Sequence, residues 1–199
     1  MTSIITPLAH LDQRTYDIFP EAFSGCASLK SLVIPQSVTT IMDHAFNGSS
    51  LLESIELPNS LTDLEPGVFA YCQSLKNVTV PDSVTDLGNA MFDHCSSLET
   101  VSLPENLSQP LAPHAFFECT SLKNVKLAEK LTSLGDHVFA GCSSLESVSV
   151  PDSLVSVSQS AFDGCDKLGF EEDNVTYIGN SVWLRLTTFD IILVEQKIE

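Results

Sequence analysis

The feature that most constrains this chain is a phenylalanine that returns at an almost fixed interval. It occurs at Phe23, Phe46, Phe69, Phe92, Phe116, Phe139 and Phe162, in steps of 23, 23, 23, 24, 23 and 23 residues. Three residues after each ring stands Cys26, Ser49, Cys72, Cys95, Cys119, Cys142 or Cys165. A unit of the form L-x-x-[LIV]-x-[LIV] follows, ending at Ile34, Leu57, Val80, Leu103, Leu127 or Val150. Proline comes next in every case but one, where Ala128 takes its place. A unit this short cannot bury an apolar face alone, so the copies must stack and share one elongated core.

Each copy divides into three sides. Leu75-Lys-Asn-Val78-Thr-Val80 alternates apolar and small polar residues, the pattern of a half-buried strand with Val78 and Val80 inward and Asn77 and Thr79 outward. Proline then ends the strand, because its missing N–H would interrupt a ladder. Val84-Thr-Asp-Leu87 keeps apolar residues three apart on a second side. Ala90-Met-Phe-Asp-His-Cys turns back and drives its ring inward, so the stacked phenylalanines should form a spine. The period and the L-x-x-L-x-L unit define a leucine-rich repeat solenoid. The expected fold is α/β-type but mainly β: a right-handed coil with one parallel β-sheet and a C-terminal β-hairpin cap.

The expected boundaries are an N-terminal cap over 1–17, repeats over 18–170 and a C-terminal cap over 171–199. Leu8, Leu11 and Tyr16 supply apolar contacts to the first cap. The second cap is expected to pair Val182–Leu186, which includes Trp183, with Asp190–Val194 through Thr187-Thr188. An uncovered last coil would leave an open strand edge. Between Leu107 and Phe116 there is one residue more than elsewhere, with Pro110 and Pro113. This predicts a bulged loop opposite the strands, either a tolerated insertion or a contact element.

All six cysteines hold one repeat position, where a Cys beside Phe and Leu reads as a small buried hydrophobe. Ser49 fills the same slot next to Cys26, so covalent pairing is not what the position requires. Free thiols suit a reducing compartment. The stretch Met1–His10 lacks a basic segment and a long apolar run, so no secretory leader is expected. Both observations point to an intracellular setting. Asn47, Asn77, Asn106 and Asn174 each open an N-x-[ST] triplet, which a Ser-rich repeat generates by chance.

Nine Lys and Arg against 26 Asp and Glu give a net charge of −17. Nucleic acid is a poor partner for such a surface, since phosphate binding needs basic residues. No apolar stretch is long enough to span a bilayer. A basic protein is the better match in charge.

In a solenoid, one repeat position becomes a column. Lys30, Glu53, Lys76, Glu99, Lys123 and Glu146 alternate in sign, which fixes the register of a ladder. The outward strand positions are small and polar, with Asn77, Thr79, Thr100, Ser102, Asn124 and Lys126 at their centre. That face could bind a peptide or glycan by hydrogen bonds, or be solvated sheet. After the proline come Asp82, Glu105, Glu129 and Asp152 on four consecutive coils. This acidic edge is expected to receive a basic partner or loosely to bind a divalent cation, against the plainer reading of a screened edge. His44, His114 and His137 share a column, but without a third ligand they make a weak zinc site.

No metalloprotease, phosphate-loop, dinucleotide or Cys-x-x-Cys motif occurs. A uniform array gives catalytic groups no deep pocket, so the chain is expected not to be an enzyme and to need no cofactor. Two classes of function remain: an interaction module for a protein or glycan, or a structural subunit of a larger assembly.

The element A-F-x-x-C-x-x-L-x-x-[IV]-x-[LV]-P-x-S-[VL] resembles the BspA-like, or TpLRR-class, leucine-rich repeats of bacterial and protist proteins. Cys95-Ser-Ser-Leu98-Glu-Thr-Val101-Ser-Leu103-Pro104 and Cys142-Ser-Ser-Leu145-Glu-Ser-Val148-Ser-Val150-Pro151 carry the likeness. The resemblance implies a surface-exposed adhesion or host-interaction role. The chain departs from other leucine-rich repeats at the position of their usual Asn, where it has Ser37, Ser60, Ser83, Lys130 and Ser153 and keeps Asn only at Asn106.

Overall fold

The structure is a computed structural model that describes residues 16–107 and 109–168, together with the backbone strands 175–179, 182–186 and 191–194. Its coils are numbered one to seven here by their phenylalanines, Phe23 to Phe162. Each coil begins on the second side, passes its phenylalanine on the third, and ends in its strand.

The strand side is a six-stranded parallel sheet of Ser31–Val33, Ser54–Glu56, Asn77–Thr79, Thr100–Ser102, Asn124–Lys126 and Ser147–Ser149. The register is that of the repeat, with Asn77 opposite Thr100 and Val78 opposite Val101. In the central strands the middle residue is buried and its two neighbours are exposed. The alternation in the sequence therefore describes the sheet correctly. Among the described residues there is no helix, so the fold is carried by its β part.

A second parallel face was not announced by the periodicity. Tyr16–Ile18, Val38–Ile41 and Asp63–Leu64 pair on the second side of coils one to three. Ser133–Leu134 and Ser156–Val157 pair on coils six and seven, and Leu111 bridges to Leu134. The interruption lies at coil four, whose second side forms no strand, and this face is thus divided into two groups. From Leu111 onward the register is restored, with the Gly135 N–H donating to Leu111 at 2.9 Å.

The corner after each strand shows what the proline column does. The carbonyl of Pro58, Pro81 or Pro104 accepts the N–H three residues on, at Leu61, Val84 or Leu107. Leu131 makes the same bond to Ala128 at 3.0 Å. The turn uses the carbonyl and not the ring, which is why alanine serves there. Hydroxyls replace the usual Asn in bracing neighbouring coils: Ser60 donates to the Val38 carbonyl at 2.7 Å and Ser153 to that of Leu131 at 2.6 Å.

The interior is the expected spine. All seven rings stack in sequence with centroids 5.0 to 5.6 Å apart and planes within 16° of parallel. Phe46, Phe69, Phe92, Phe116 and Phe139 are completely buried. Burying an aromatic side chain stabilises by roughly 1.5–3 kcal/mol, and an aromatic pair adds about 0.5–1.5 kcal/mol.

Residues 1–15, which hold most of the expected N-terminal cap, lie outside the described residues, as does the acidic segment 171–173. Val182–Leu186 does pair antiparallel with Ile191–Val194, and Val175–Gly179 adds a third strand to that sheet. The side chain of Trp183 is not among those described.

Candidate functional site

The corner residues that end the strands, Pro81, Pro104, Ala128 and Pro151, are each followed by an acidic residue at the rim of the strand face. Asp82, Glu105, Glu129 and Asp152 are all exposed there. Three of them share a cleft of about 430 Å³ with the strand face: Asp82, Glu105 and Glu129 line it together with Thr79, Ser102 and Lys126, and with Pro81 and Leu103. The structure thus joins two groups that the sequence presented as separate columns. Asp152 does not line the cleft, and neither do Asn77, Thr100 and Asn124. Those three engage along the sheet, where Thr100 Oγ1 donates to Asn77 Oδ1 at 2.5 Å and Ser147 Oγ to Asn124 Oδ1 at 2.6 Å.

The carboxylates of the edge are held at coil spacing and not gathered at a point. Asp82 Oδ1 accepts the N–H of Glu105 at 2.8 Å, which fixes one of them against the next coil. Among the described residues no three carboxylate, imidazole or thiol groups converge as metal ligands. The geometry of this edge is that of an extended acidic rim. In the alternating ladder the pair Lys123–Glu99 is closed at 3.5 Å with both side chains about half exposed, an interaction worth about 0–1 kcal/mol.

The third side holds a feature that column reading passed over. Two repeat positions lie in the left-handed region, the first on coils one to six and the second on all seven. One is Glu21, His44, Gly67, Ala90, His114 and His137; the other is Gly25, Gly48, Tyr71, His94, Glu118, Gly141 and Gly164. At the second position four coils use glycine, which adopts this conformation freely, and the three middle coils do not. Each non-glycine residue there costs about 1 kcal/mol or more. The signal was present as four glycines at one repeat position.

These strained residues build an aromatic row. The rings of Tyr71 and His94 stack at 4.7 Å, and His94 Nδ1 lies 2.6 Å from Asp93 Oδ1. His94 packs against Phe117, which meets His114 edge-on at 5.3 Å. His114 in turn stacks on His137 at 5.1 Å. Of the histidine column named from the sequence, His114 and His137 are packed into this row, whereas His44 lies beside Asp43 at 3.4 Å.

All six thiols are free and five are buried. Cys72, Cys95, Cys119, Cys142 and Cys165 each donate to the carbonyl of the phenylalanine one coil earlier at 3.0–3.2 Å. Ser49 does the same to Phe23 at 2.6 Å. The position selects a small donor and not merely a small hydrophobe. Burial pushes the thiols of Cys72 and Cys165 up to about 12 and those of Cys95, Cys119 and Cys142 well above their ordinary value. Such thiols are poor nucleophiles, because the thiolate is the reactive form.

A coil with one continuous parallel strand side, a proline corner and a stacked aromatic interior defines a leucine-rich repeat solenoid. The sequence matches the BspA type leucine rich repeat region in six copies over residues 16–110 and 110–199, and the chain belongs to that family. No curated protein matches the chain. Among solved structures it is similar to the T. pallidum leucine rich repeat protein, with 34% identity, a TM-score of 0.74, and coverage of 77% of this chain and 71% of that one. A leucine-rich repeat protein from Bacteroides ovatus is 28% identical with a TM-score of 0.51, over 79% of this chain and 52% of its own. A leucine rich cell surface protein from Faecalibacterium prausnitzii shares the fold at 22% identity and a TM-score of 0.58, over 75% of this chain and 61% of its own. Among the described residues no helix is long and apolar enough to cross a membrane.

Proposed function

We propose that the chain is a non-enzymatic interaction module that holds a basic segment of a protein partner in the cleft between its strand face and its acidic rim. The observation that supports this most is the cleft itself, whose lining combines Asp82, Glu105 and Glu129 with Thr79 and Ser102. An extended segment laid along it meets a carboxylate and a hydrogen-bonding side chain at each coil. Lys126 supplies a donor in the same cleft. The net charge of −17 favours a basic partner and speeds its approach. An adhesion role, as the family resemblance implies, uses the same geometry.

The test is affinity capture from the source cell with three baits: wild type, a triple variant Asp82→Asn, Glu105→Gln, Glu129→Gln, and Asp152→Asn alone. A partner held by wild type and by Asp152→Asn but lost from the triple variant is the expected result. A partner that the triple variant retains in full would remove the cleft from consideration.

A further inference from the structure

We propose that the open face of Tyr71, above the side-chain-free shelf of Gly25 and Gly48, is a receptor for the guanidinium of an arginine on a basic partner. This goes beyond the cleft: Tyr71 precedes the strand of its coil and Asp82 follows it, so the two lie at opposite edges of the strand side.

One face of the Tyr71 ring is covered by His94, stacked at 4.7 Å and 16°. On the other side the column continues as Gly48 and Gly25. A Cβ built on Gly48 would meet only the backbone of Gly25, at 3.8 Å, and one on Gly25 would meet nothing within 4 Å. The contrast with the far end of the row is instructive, because there the Glu118 carboxylate already fills the place of a Gly141 Cβ, 2.6 Å away. The space beside Tyr71 is thus one stacking position left open at the end of a row. Tyr71 is also 42% exposed.

Backbone conformation adds an independent reason to regard the ring as placed. Tyr71 sits at φ 59, where the same position on four other coils is glycine. Folding alone would favour glycine there too.

The occupant follows from shape and charge. A flat slot beside a π face suits a planar cation, and guanidinium stacks on aromatic rings where a compact, strongly hydrated ammonium fits less well. The same coils as the glycines carry exposed Glu21 and half-exposed Asp43, and Asp93 holds the His94 that backs Tyr71.

The experiment is calorimetric titration of the full chain with hexa-arginine, hexalysine and maltohexaose at fixed ionic strength. Hexa-arginine is expected to bind about three- to tenfold more tightly than hexalysine, and Tyr71→Phe to preserve that ratio. Tyr71→Gly is expected to abolish the preference while melting no lower than wild type, since it relieves the strained backbone. The preference should survive in the Asp82, Glu105, Glu129 triple variant, which separates this slot from the cleft. Equal binding of both peptides, a preference unchanged by Tyr71→Gly, or binding of the sugar alone would each overturn the proposal.

Discussion

Cys95 Sγ lies 3.0 Å from the carbonyl oxygen of Phe69, which also accepts the N–H of Cys72 at 3.1 Å. The thiol therefore takes the second lone pair of a carbonyl already bonded within its own coil, and ties two coils at the foot of the aromatic spine.

Because the position needs a small donor, Cys95→Ser should fold and lose about 1 kcal/mol or less, as Ser49 does the same task in coil two. Cys95→Ala loses the bond and opens a small void, for about 1–2 kcal/mol. Urea denaturation of the two variants against wild type checks the order.

Burial raises the buried thiols in the folded state from the ordinary 9.0, to about 12 at Cys72 and Cys165. The folded chain then holds protons that the unfolded chain releases. This contribution to stability is complete below pH 9 and is lost as pH rises from there toward 12. Melting temperature should fall across that window, and less steeply in Cys72→Ser. In the native state at pH 8, these five thiols should resist an alkylating reagent until denaturant is added.

Phe92→Ala should cost about 3–5 kcal/mol, since the ring is fully buried between Phe69 and Phe116. Phe23→Ala, at the first and only partly buried position, should cost less. Urea midpoints of the two variants give the comparison directly.

Two glycines should respond differently to alanine. At Gly88 a Cβ would stand 2.6 Å from the Glu65 carbonyl carbon and the Pro66 nitrogen, so backbone has to move. At Gly48 the space is open and only the left-handed backbone, φ 70, resists. Gly48→Ala should cost about 1 kcal/mol and Gly88→Ala more, as read from thermal melts.

The spine, the strand register and the corner prolines were legible because each rests on one residue type repeated with the coil. The cleft was half legible. Its two columns stood out separately, but their sharing one concavity depends on the three-dimensional course of the corner after each strand, which periodicity does not carry. The aromatic row was missed because its members occupy different repeat positions: Tyr71 and His94 share one column, Phe117 another, His114 and His137 a third. The cysteines were read for size alone, although Ser49 already showed that the slot accepts a hydroxyl.

The extra residue of coil five has a further consequence. In a stack where each coil touches only its neighbours, cooperativity passes through every junction in series, and the thinnest junction limits it. Between coils four and five the strand side is joined by the single register pair Thr100–Asn124, and no paired second-side strands join them among the described residues. The third side carries most of that junction, through the N–H groups of Ala90, Phe92 and His94 donating to the carbonyls of Pro113, Ala115 and Phe117 at 2.8–3.0 Å and the Phe92–Phe116 stack at 5.4 Å. Transmission of order along the array thus narrows to one flank at its middle. Melting of coils one to four is thereby coupled to that of coils five to seven chiefly through the third side, where backbone hydrogen bonds, the Cys119 thiol and the stacked rings all cross.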